Sequence, residues 1–438
     1  MKPNIFFLVI DSLRSDRFFK DRSSVTPNLD KLRNDGSYFS QNISSADGTI
    51  LSLNTIFSGL FPCVTGTREI KLSLDSSNYL SSLKNEGYSL KSIIPNLSSF
   101  NSLKKISEKT HSFDGGPPAD TLFDGVGEKI IEFLSDSMKE PWFFYMHIFD
   151  LHWPLAVTEE FDKEEFGKDK YDRILSSIDF YIGKFLDKIN LNKTIVILTS
   201  DHGCPLPFDG MDVTSFEPSL DLGLKTGKKV MPKFTHKFGA KIFNKTRNVI
   251  QNKRLETANK NLNDYQKRSR LPPFIQSLFD EVVKTPLLFS GYKIKSMNIQ
   301  QQTRSIDIFP TIFDLLNFSH SKNVQGKSLL PLLNNMSFNE FPCYMHTIPY
   351  EQLSDNDLVG VRTSKYKYFR HARDSSSNVH LYELSDDPLE NQNIFDLEKI
   401  RKMENILSTF SDFESNIQEK DNEEEAKIRE ELKKLGYM

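Results

Sequence analysis

The 438-residue sequence has few cysteines, few tryptophans and no long uninterrupted apolar segment. Its three cysteines form an odd and sparse set, which excludes a disulfide scaffold and is typical of a reducing compartment. No apolar run approaches the roughly 20 residues that a membrane-spanning helix requires. The first apolar run, Ile5–Ile10, is too short for the core of a signal peptide. We therefore expect a cytoplasmic protein without a transmembrane segment.

A large excess of charge of one sign is also missing, because the net charge is only −3. This average conceals a basic segment between Leu224 and Arg270, where fourteen lysines and arginines accompany only two acidic residues. The segment is therefore about +12 and the remainder about −15. It is open whether these charges attract an anionic substrate, bind a membrane surface or acidic polymer, or are simply solvated. No recognition motif accompanies them, so we expect no nucleic-acid partner.

Apolar residues make up 38% of the chain and phenylalanine alone contributes 35 residues, enough for a large core. Three continuous apolar runs are typical of fully buried strands: NIFFLVI, WFFYMHI and TIVILT. Amphipathic helical patterns lie between them, at Thr26–Asp35 and Asp172–Lys188. This alternation predicts an α/β protein with a central, mostly parallel sheet flanked by helices.

The chain is predicted to contain a catalytic domain, residues 1–335, and a smaller C-terminal α+β subdomain, residues 336–438. Residues 204–283 lack a clear strand pattern and are interpreted as a basic insertion in the first domain. The segments DLVGVRTSKYKYFRH and LYEL predict strands of a small antiparallel sheet in the second. The tail EEEAKIREELKKLGYM predicts a terminal helix, because acidic residues come first and basic residues last.

Polar side chains follow the three predicted buried strands at the points where those strands end. Asp11, His152 and the pair Asp201–His202 occupy these positions. Because the carboxyl ends of parallel strands meet at one edge of a sheet, we expect a metal or catalytic site there. The alternative is that each residue only caps the turn after its strand. Carboxylate and imidazole ligands are compatible with Ca²⁺, Mg²⁺, Mn²⁺ or Zn²⁺.

The order and spacing of ten short motifs resemble the sulfatase branch of the alkaline-phosphatase superfamily. Those motifs cover most of the chain apart from the basic insertion and are NIFFLVIDSLRSD, TPNLDKLRNDGSYF, TILSLNTIFSGLFP, HIFDLHWP, TIVILTSDHG, RSIDIFPTIFDLL, GKSLLPLL, RTSKYKYF, LYELSDDPLENQN and the terminal LGYM. The resemblance implies an alkaline-phosphatase-like fold, a divalent metal cation and a nucleophile at the start of a helix. It also implies an anionic ester as substrate, with glycan-linked and lipid-linked esters both open.

Within the motif TILSLNTIFSGLFP, the resemblance places Thr49 at the nucleophile position. Sulfatases carry Cys or Ser there, which is converted to formylglycine, and threonine cannot undergo that conversion. The threonine version resembles the branch that contains phosphodiesterases and phosphoethanolamine and phosphoglycerol transferases. The implied metal ligands are Asp11, Thr49, Asp201 and His202. Without the resemblance, Thr49 is equally well interpreted as an ordinary helix N-cap.

Four further residues are considered for substrate contacts. His152 lies in His-Trp-Pro, which matches the His-x-Pro of the family and implies a role in protonating the leaving oxygen. Arg14 is predicted to clamp an anion, the alternative being a surface salt bridge. Asn96 follows another strand, and His236 lies in the basic insertion, where a solvated loop is the alternative. His147, five residues before His152, is interpreted as a core histidine.

These observations predict a metal-dependent hydrolase of sulfate or phosphate esters that acts through a covalent threonyl intermediate. Phosphoester or phosphodiester chemistry is favoured, because threonine cannot use the formylglycine route for releasing sulfate. Two alternatives remain open. One is transfer of a phospho-head group to a glycan or lipid, and the other is a catalytically inactive protein that binds anionic glycans.

Overall fold

The fold is described from a computed structural model of the chain. The described residues are 2–20, 22–65, 70–74, 78–116, 119–136, 139–211, 236–271, 276–319, 324–347, 356–411 and 423–434. Among them, no helix is both long and apolar enough to cross a membrane.

A central sheet of eight strands organises the molecule. The strands are β1 (Asn4–Ile10), β2 (Ser37–Ile43), β3 (Ser89–Pro95), β4 (Lys109–Phe113), β5 (Trp142–Ile148), β6 (Thr194–Thr199), β7 (Lys284–Gly291) and β8 (Met297–Arg304). Their order across the sheet is β4-β3-β5-β1-β6-β7-β2-β8. Every residue of β1, β5 and β6 is buried, as expected for strands covered on both faces by helices.

Strand β1 lies in the middle of the sheet, parallel to both of its neighbours. Val9 is in register with His147 of β5 and with Thr199 of β6, so these three strands end at the same level. Only β7 runs against its neighbours, β6 and β2. The prediction of a mostly parallel α/β sheet is confirmed, and it places the residues after β1, β5 and β6 at one edge.

The described helices lie between consecutive strands along the chain, except for the last two, which follow the final strand. Their bounds are α1 (Ser15–Phe19), α2 (Pro27–Asp35), α3 (Thr49–Ser58), α4 (Pro62–Thr65), α5 (Tyr79–Asn85), α6 (Asn101–Ile106), α7 (Val126–Ser135), α8 (Lys170–Leu186), α9 (His236–Asn259), α10 (Asp264–Ser269), α11 (Asp280–Val283), α12 (Ile308–Leu315), α13 (Leu330–Leu333), α14 (Leu397–Ser411) and α15 (Glu423–Lys434). The two helices predicted near residues 26–35 and 172–188 correspond to α2 and α8 within two residues at each end.

A second, smaller sheet follows in the chain. Its four antiparallel strands are β9 (Cys343–His346), β10 (Leu358–Arg362), β11 (Tyr366–His371) and β12 (His380–Glu383), in the order β12-β11-β10-β9. A hydrophobic cluster that includes Ile43, Phe61 and Leu407 packs with residues of this sheet. The predicted small antiparallel sheet in the C-terminal part of the chain is therefore confirmed.

The chain divides into two compact units. One comprises residues 1–204, 276–388 and 393–438 and contains both sheets. The other comprises residues 205–275 and 389–392 and contains α9 and α10. Inside this second unit, Arg268 Nη1 donates to the carbonyl of Glu390 at 2.8 Å, which ties the short segment to the insertion. The domain boundary at residue 335 stays a prediction.

Candidate metal and catalytic site

Two buried aspartates meet at the carboxyl edge of the central sheet. Asp11 follows β1 and Asp201 follows β6, and both side chains are completely inaccessible to solvent. The amide of Asp11 donates to the carbonyl of Ile148 at 2.9 Å, which continues the β1–β5 pairing past the end of the strand. Sheet geometry alone thus brings together two carboxylates that are 190 positions apart in the sequence.

Ser12 fixes the orientation of both carboxylates. Its hydroxyl donates to Oδ1 of Asp11 at 2.7 Å, and its amide lies 3.3 Å from Oδ1 of Asp201. Oδ1 of Asp201 also accepts from the amide of His202 at 2.8 Å. Ser12 achieves this with φ at 59°, a left-handed conformation that is uncommon for residues other than glycine. Both Oδ1 atoms are therefore occupied by hydrogen bonds.

The Oδ2 atoms of the two aspartates face a third buried group, His147 of β5. Its Nε2 lies 3.2 Å from Oδ2 of Asp11 and 4.0 Å from Oδ2 of Asp201. The donor atoms of these three residues lie within 4.8 Å of one another. Oδ2 of Asp201 is buried and has no hydrogen-bond partner in the described part of the chain. An unpartnered buried carboxylate oxygen is costly, and it is a position that a cation would occupy.

The sequence analysis interpreted His147 as a core histidine. That interpretation agrees with its burial, but it did not predict that the ring faces Asp11 and Asp201. A polar residue in an otherwise apolar strand, one position before the strand ends, is the signal that points to the site edge. Because β5 neighbours β1, that position lies beside the residues that follow β1.

Thr49 is the first residue of α3, and Gly48 precedes it as the N-cap residue. The Thr49 hydroxyl donates to Oδ2 of Asp11 at 3.2 Å and lies 3.3 Å from Nε2 of His202. The ordinary N-cap interpretation of Thr49 is therefore wrong, because its side chain contacts the buried cluster from inside the helix. The helix N-terminus adds partial positive charge at the same place.

A chain of serine hydroxyls connects α3 to the segment after β6. The hydroxyls of Ser44 and Ser52 are 2.9 Å apart, and Ser44 Oγ donates to the carbonyl of Asp201 at 2.6 Å. All three residues are buried. These bonds hold the start of α3 against Asp201 and thereby help to position Thr49.

The two carboxyls have opposite pKa shifts. Burial acts to raise the pKa of Asp11, but the hydrogen bond from His147 and the neighbouring His152 and His202 outweigh it, so the pKa is below its usual value. Burial and the charge of Asp11 raise the pKa of Asp201 above its usual value. Two acids in one dry space cannot both ionise at low cost unless a cation joins them.

His152 follows β5 on the same edge. Its ring stacks on Phe149 with centroids 5.1 Å apart, and its amide donates to the Phe149 carbonyl at 2.8 Å. The imidazole of His152 is one of the groups that act to lower the pKa of Asp11. The neighbouring carboxyl of Asp150 accepts from the amide of Leu122 at 3.0 Å, and burial raises its pKa to about 7.

The structure does not bring the other predicted substrate residues to this cluster by any contact described. Arg14 is buried and forms a bidentate ion pair with Asp16, Nη2 to Oδ2 at 2.6 Å, so its forked group is already engaged. Asn96 is exposed, and its side-chain oxygen accepts from Lys104 at 2.8 Å. His236 is the first residue of α9, and its side chain lies outside the described residues.

The residues at this edge fit a divalent cation. Asp11, Thr49, His147, Asp201 and His202 direct oxygen and nitrogen atoms toward one another, and the unpartnered Oδ2 of Asp201 lies among them. Carboxylate, hydroxyl and imidazole are all ligands of divalent metals. The sequence analysis identified four of these five residues and missed His147.

A mostly parallel α/β sheet with this donor set at its carboxyl edge is the arrangement that the resemblance to the sulfatase branch predicts. The chain belongs to the sulfatase family: the Sulfatase family model matches residues 3–318. A second family model, N-sulphoglucosamine sulphohydrolase, C-terminal, matches residues 275–415. The resemblance drawn from the ten motifs is thereby confirmed.

Curated relatives match only part of the chain. Arylsulfatase K of Mus musculus is 32% identical over 125 residues, which are 27% of this chain and 23% of that protein. An uncharacterized protein of Haemophilus influenzae is 27% identical over 219 residues, 48% of this chain and 33% of that protein. The chain thus matches between about a quarter and a third of the length of these two relatives.

Solved structures share the fold over nearly the whole chain at low identity. The phosphonate monoester hydrolase of Agrobacterium radiobacter has a TM-score of 0.66 at 14% identity, covering 95% of this chain and 96% of that one. A protein solved in complex with its substrate D-glucosamine-2-N,6-O-disulfate has a TM-score of 0.64 at 17% identity, covering 98% and 100%. Another, solved with a neocarrahexaose, has a TM-score of 0.67 at 14% identity, covering 98% and 97%.

Proposed function

We propose that this protein is a metal-dependent hydrolase of phosphate esters in which Thr49 is the nucleophile. The observation that carries the proposal is the place of the Thr49 hydroxyl. It lies at the N-terminus of α3, 3.2 Å from Oδ2 of Asp11 and 3.3 Å from Nε2 of His202. A hydroxyl is a weak nucleophile at neutral pH and needs such neighbours to lose its proton.

We assign the following roles to the residues of the site. A divalent cation held by Asp11, Asp201 and His202 would lower the pKa of the Thr49 hydroxyl and offset the charge of the ester. Thr49 Oγ1 loses its proton to solvent and attacks phosphorus in line, a P–O bond to Thr49 forms, and the bond to the leaving oxygen breaks. His152 donates a proton to that oxygen. Water then attacks the threonyl ester and releases phosphate and the free hydroxyl.

The preference for phosphorus over sulfur rests on the side chain at position 49. Threonine cannot become formylglycine, so the hydrated aldehyde that expels sulfate in the family is not accessible to this chain. A threonyl phosphate can instead be hydrolysed by water at phosphorus. The fold is shared both with a phosphonate monoester hydrolase and with sulfatases, so the choice rests on the chemistry of Thr49.

We propose a glycan-linked ester as the substrate class. Two structural relatives are solved with saccharides, a disulfated glucosamine and a neocarrahexaose, which supports this class over a lipid.

The proposal is tested with a panel of aryl esters. The wild type, Thr49→Ala and Thr49→Ser are assayed with 4-nitrophenyl phosphate, bis(4-nitrophenyl) phosphate and 4-nitrophenyl sulfate in the presence of Zn²⁺, Mn²⁺, Mg²⁺ or Ca²⁺. We expect the phosphate esters to be the better substrates and Thr49→Ala to lose roughly 1,000-fold or more in kcat. Thr49→Ser keeps the hydroxyl and should lie within about tenfold of the wild type.

Two results would overturn the proposal. Equal kcat in the wild type and Thr49→Ala would show that Thr49 is not the nucleophile. Faster turnover of the sulfate than of either phosphate ester would contradict the proposed preference for phosphate esters. Adding glycerol or a saccharide alcohol distinguishes hydrolysis from transfer. A new phosphodiester in place of free phosphate would assign the protein as a transferase.

A further inference from the structure

We propose that His147, oriented by Tyr145, is a direct metal ligand and that the resulting site prefers Zn²⁺ or Mn²⁺ to Ca²⁺. The inference deepens the proposed function, since it concerns the cation of the same site. It makes a separate claim, however, because it is about which metal binds and through which atoms, whatever ester is hydrolysed.

Five donor atoms form a closed ring at the sheet edge. Going around the ring from His147 Nε2, the successive separations are 3.2 Å to Asp11 Oδ2, 3.2 Å to Thr49 Oγ1, 3.3 Å to His202 Nε2 and 3.7 Å to Asp201 Oδ2. The last separation, from Asp201 Oδ2 back to His147 Nε2, is 4.0 Å. Without His147 the ring is open on the side of β5.

The composition of the ring disfavours Ca²⁺, which binds roughly 6–8 oxygen ligands in proteins. The ring offers three oxygens and two imidazole nitrogens. Ser12, the neighbour of Asp11, does not add a carboxylate, and its hydroxyl is directed to Oδ1 of Asp11 rather than into the ring. Imidazole nitrogens combined with few carboxylates suit Zn²⁺ or Mn²⁺ better than a hard alkaline-earth cation.

In both histidines the ring nitrogen Nδ1, which faces away from the proposed metal, has a hydrogen-bond partner, and this supports metal binding through Nε2. Nδ1 of His202 lies 2.7 Å from the carbonyl of Gly203, and a carbonyl only accepts, so Nδ1 carries the proton and Nε2 presents a lone pair. In His147, Nδ1 lies 2.7 Å from the hydroxyl of Tyr145. When the Tyr145 oxygen accepts from Nδ1, the Nε2 of His147 also presents a lone pair to the ring. Metal-binding histidines are commonly fixed by such a partner.

The competing arrangement makes His147 only a hydrogen-bond donor to Asp11. That arrangement satisfies Oδ2 of Asp11 but leaves Oδ2 of Asp201 buried without a partner. A cation bound to both oxygens and to Nε2 of His147 accounts for all three atoms. This is the reason for choosing ligation.

The test measures metal binding directly and does not use activity. Protein stripped with a chelator is titrated with Zn²⁺, Mn²⁺, Mg²⁺ and Ca²⁺ in competition with a metal indicator. The Zn²⁺-loaded wild type is also examined by X-ray absorption, which counts nitrogen ligands. The variants are His147→Gln and Tyr145→Phe, with His371→Gln on β11 as the matched control.

We expect the wild type to bind Zn²⁺ or Mn²⁺ at least about 100-fold more tightly than Ca²⁺, with two imidazole nitrogens on the metal. His147→Gln should lose at least about 100-fold in Zn²⁺ affinity and change Ca²⁺ affinity little. Tyr145→Phe should lose about 10- to 100-fold, the usual effect of removing such an orienting partner. His371→Gln should match the wild type.

Three results would overturn the inference: equal affinity of the wild type for Ca²⁺ and Zn²⁺, a single imidazole nitrogen on the metal, or unchanged Zn²⁺ affinity in His147→Gln. If His147→Gln does not fold by circular dichroism, the nitrogen count of the wild type decides the question alone. Tight Zn²⁺ binding through two imidazoles without ester hydrolysis would leave this inference intact and overturn the proposed function. Hydrolysis with a Ca²⁺-selective site would do the reverse.

Discussion

Buried carboxylates occur in two clusters of very different composition. Asp280 of α11 accepts from Arg362 at 2.9 and 2.8 Å and from Lys367 at 2.9 Å, and all of these charges are largely shielded from solvent. At the sheet edge, Asp11 and Asp201 are just as buried, but their described partners are hydroxyls, backbone amides and imidazoles. Among the described residues, arginine and lysine neutralise the first cluster, and no lysine or arginine forms a described contact with the two aspartates of the second.

The difference indicates what each cluster is for. Arg362 on β10 also donates to the side chains of Gln41 of β2 and Gln302 of β8, so the balanced cluster joins the small sheet to the central sheet. The unbalanced cluster destabilises the metal-free protein, since two acids share one dry space. We infer that the cluster around Asp280 stabilises the fold and that the cluster of Asp11 and Asp201 serves metal binding and catalysis.

The largest expected effect is on catalysis at the unbalanced cluster. Asp11→Asn keeps the shape of the side chain but removes the charge that faces Thr49 and the cation. We expect kcat for an aryl phosphate to fall about 1,000-fold, equivalent to about 4 kcal/mol. The free energy of unfolding without metal, measured by urea denaturation, should change by less than about 1 kcal/mol. A large loss of stability with little loss of kcat would give this residue the role assigned to Asp280.

The next effect is on stability at the balanced cluster. Asp280→Asn leaves Arg362 and Lys367 buried without a counter-charge, and we expect a loss of about 3 kcal/mol in the free energy of unfolding. Urea denaturation measures it. Under conditions where the variant is folded, kcat should remain within about threefold of the wild type. Unchanged stability would show that the cluster is not a structural cross-link.

Asp150 offers an intermediate case, a buried carboxyl near the site whose pKa is raised to about 7. Its folded pKa is above the unfolded value, so the native protein takes up the proton first as the pH falls from about 7 toward 4, and stability rises over that window. Asp150→Asn should remove this slope and stabilise the protein by about 1–3 kcal/mol above pH 7. Denaturation midpoints from pH 4 to 8 test this. A constant difference between the two proteins at all pH values would contradict it.

The smallest effect has the opposite sign to that at Asp280. Asp201→Asn removes one of two mutually repelling acids, so we expect the metal-free protein to gain about 1 kcal/mol in the free energy of unfolding. With saturating Zn²⁺ the order should reverse, because the wild type gains the binding free energy of the metal. Urea denaturation with chelator and with Zn²⁺ measures both. If Asp201→Asn is less stable in chelator, the cluster is not strained by unpaired charge.

The sequence predicted the sheet edge well because the relevant residues follow long apolar strands. Asp11 ends the run at β1, and Asp201 and His202 end the run at β6, so topology alone brings them together. Strand β2 was not predicted, and neither were the two edge strands β4 and β8. Both contain many polar residues, such as the three consecutive glutamines of β8, because they lie at the two edges of the sheet.

The remaining site features depend on side-chain directions that no spacing rule gives. The place of His147 near the end of β5 pointed to the site edge, but only the structure shows that its ring is directed at Asp11. For Arg14, which was expected at the substrate, the spacing did not predict the ion pair with Asp16, two residues later. Ser12 carries no carboxylate of its own, but its amide and hydroxyl orient the two acids that are present.

The most direct test of the account is to trap the covalent intermediate on the metal-loaded wild type. The protein is mixed with 4-nitrophenyl phosphate, quenched in acid, digested and examined by mass spectrometry. The account predicts a phosphoryl group on the peptide that contains Thr49, formed in the wild type and absent from Thr49→Ala. Steady turnover with a phosphoryl group on another residue, or undiminished turnover by Thr49→Ala, would contradict it.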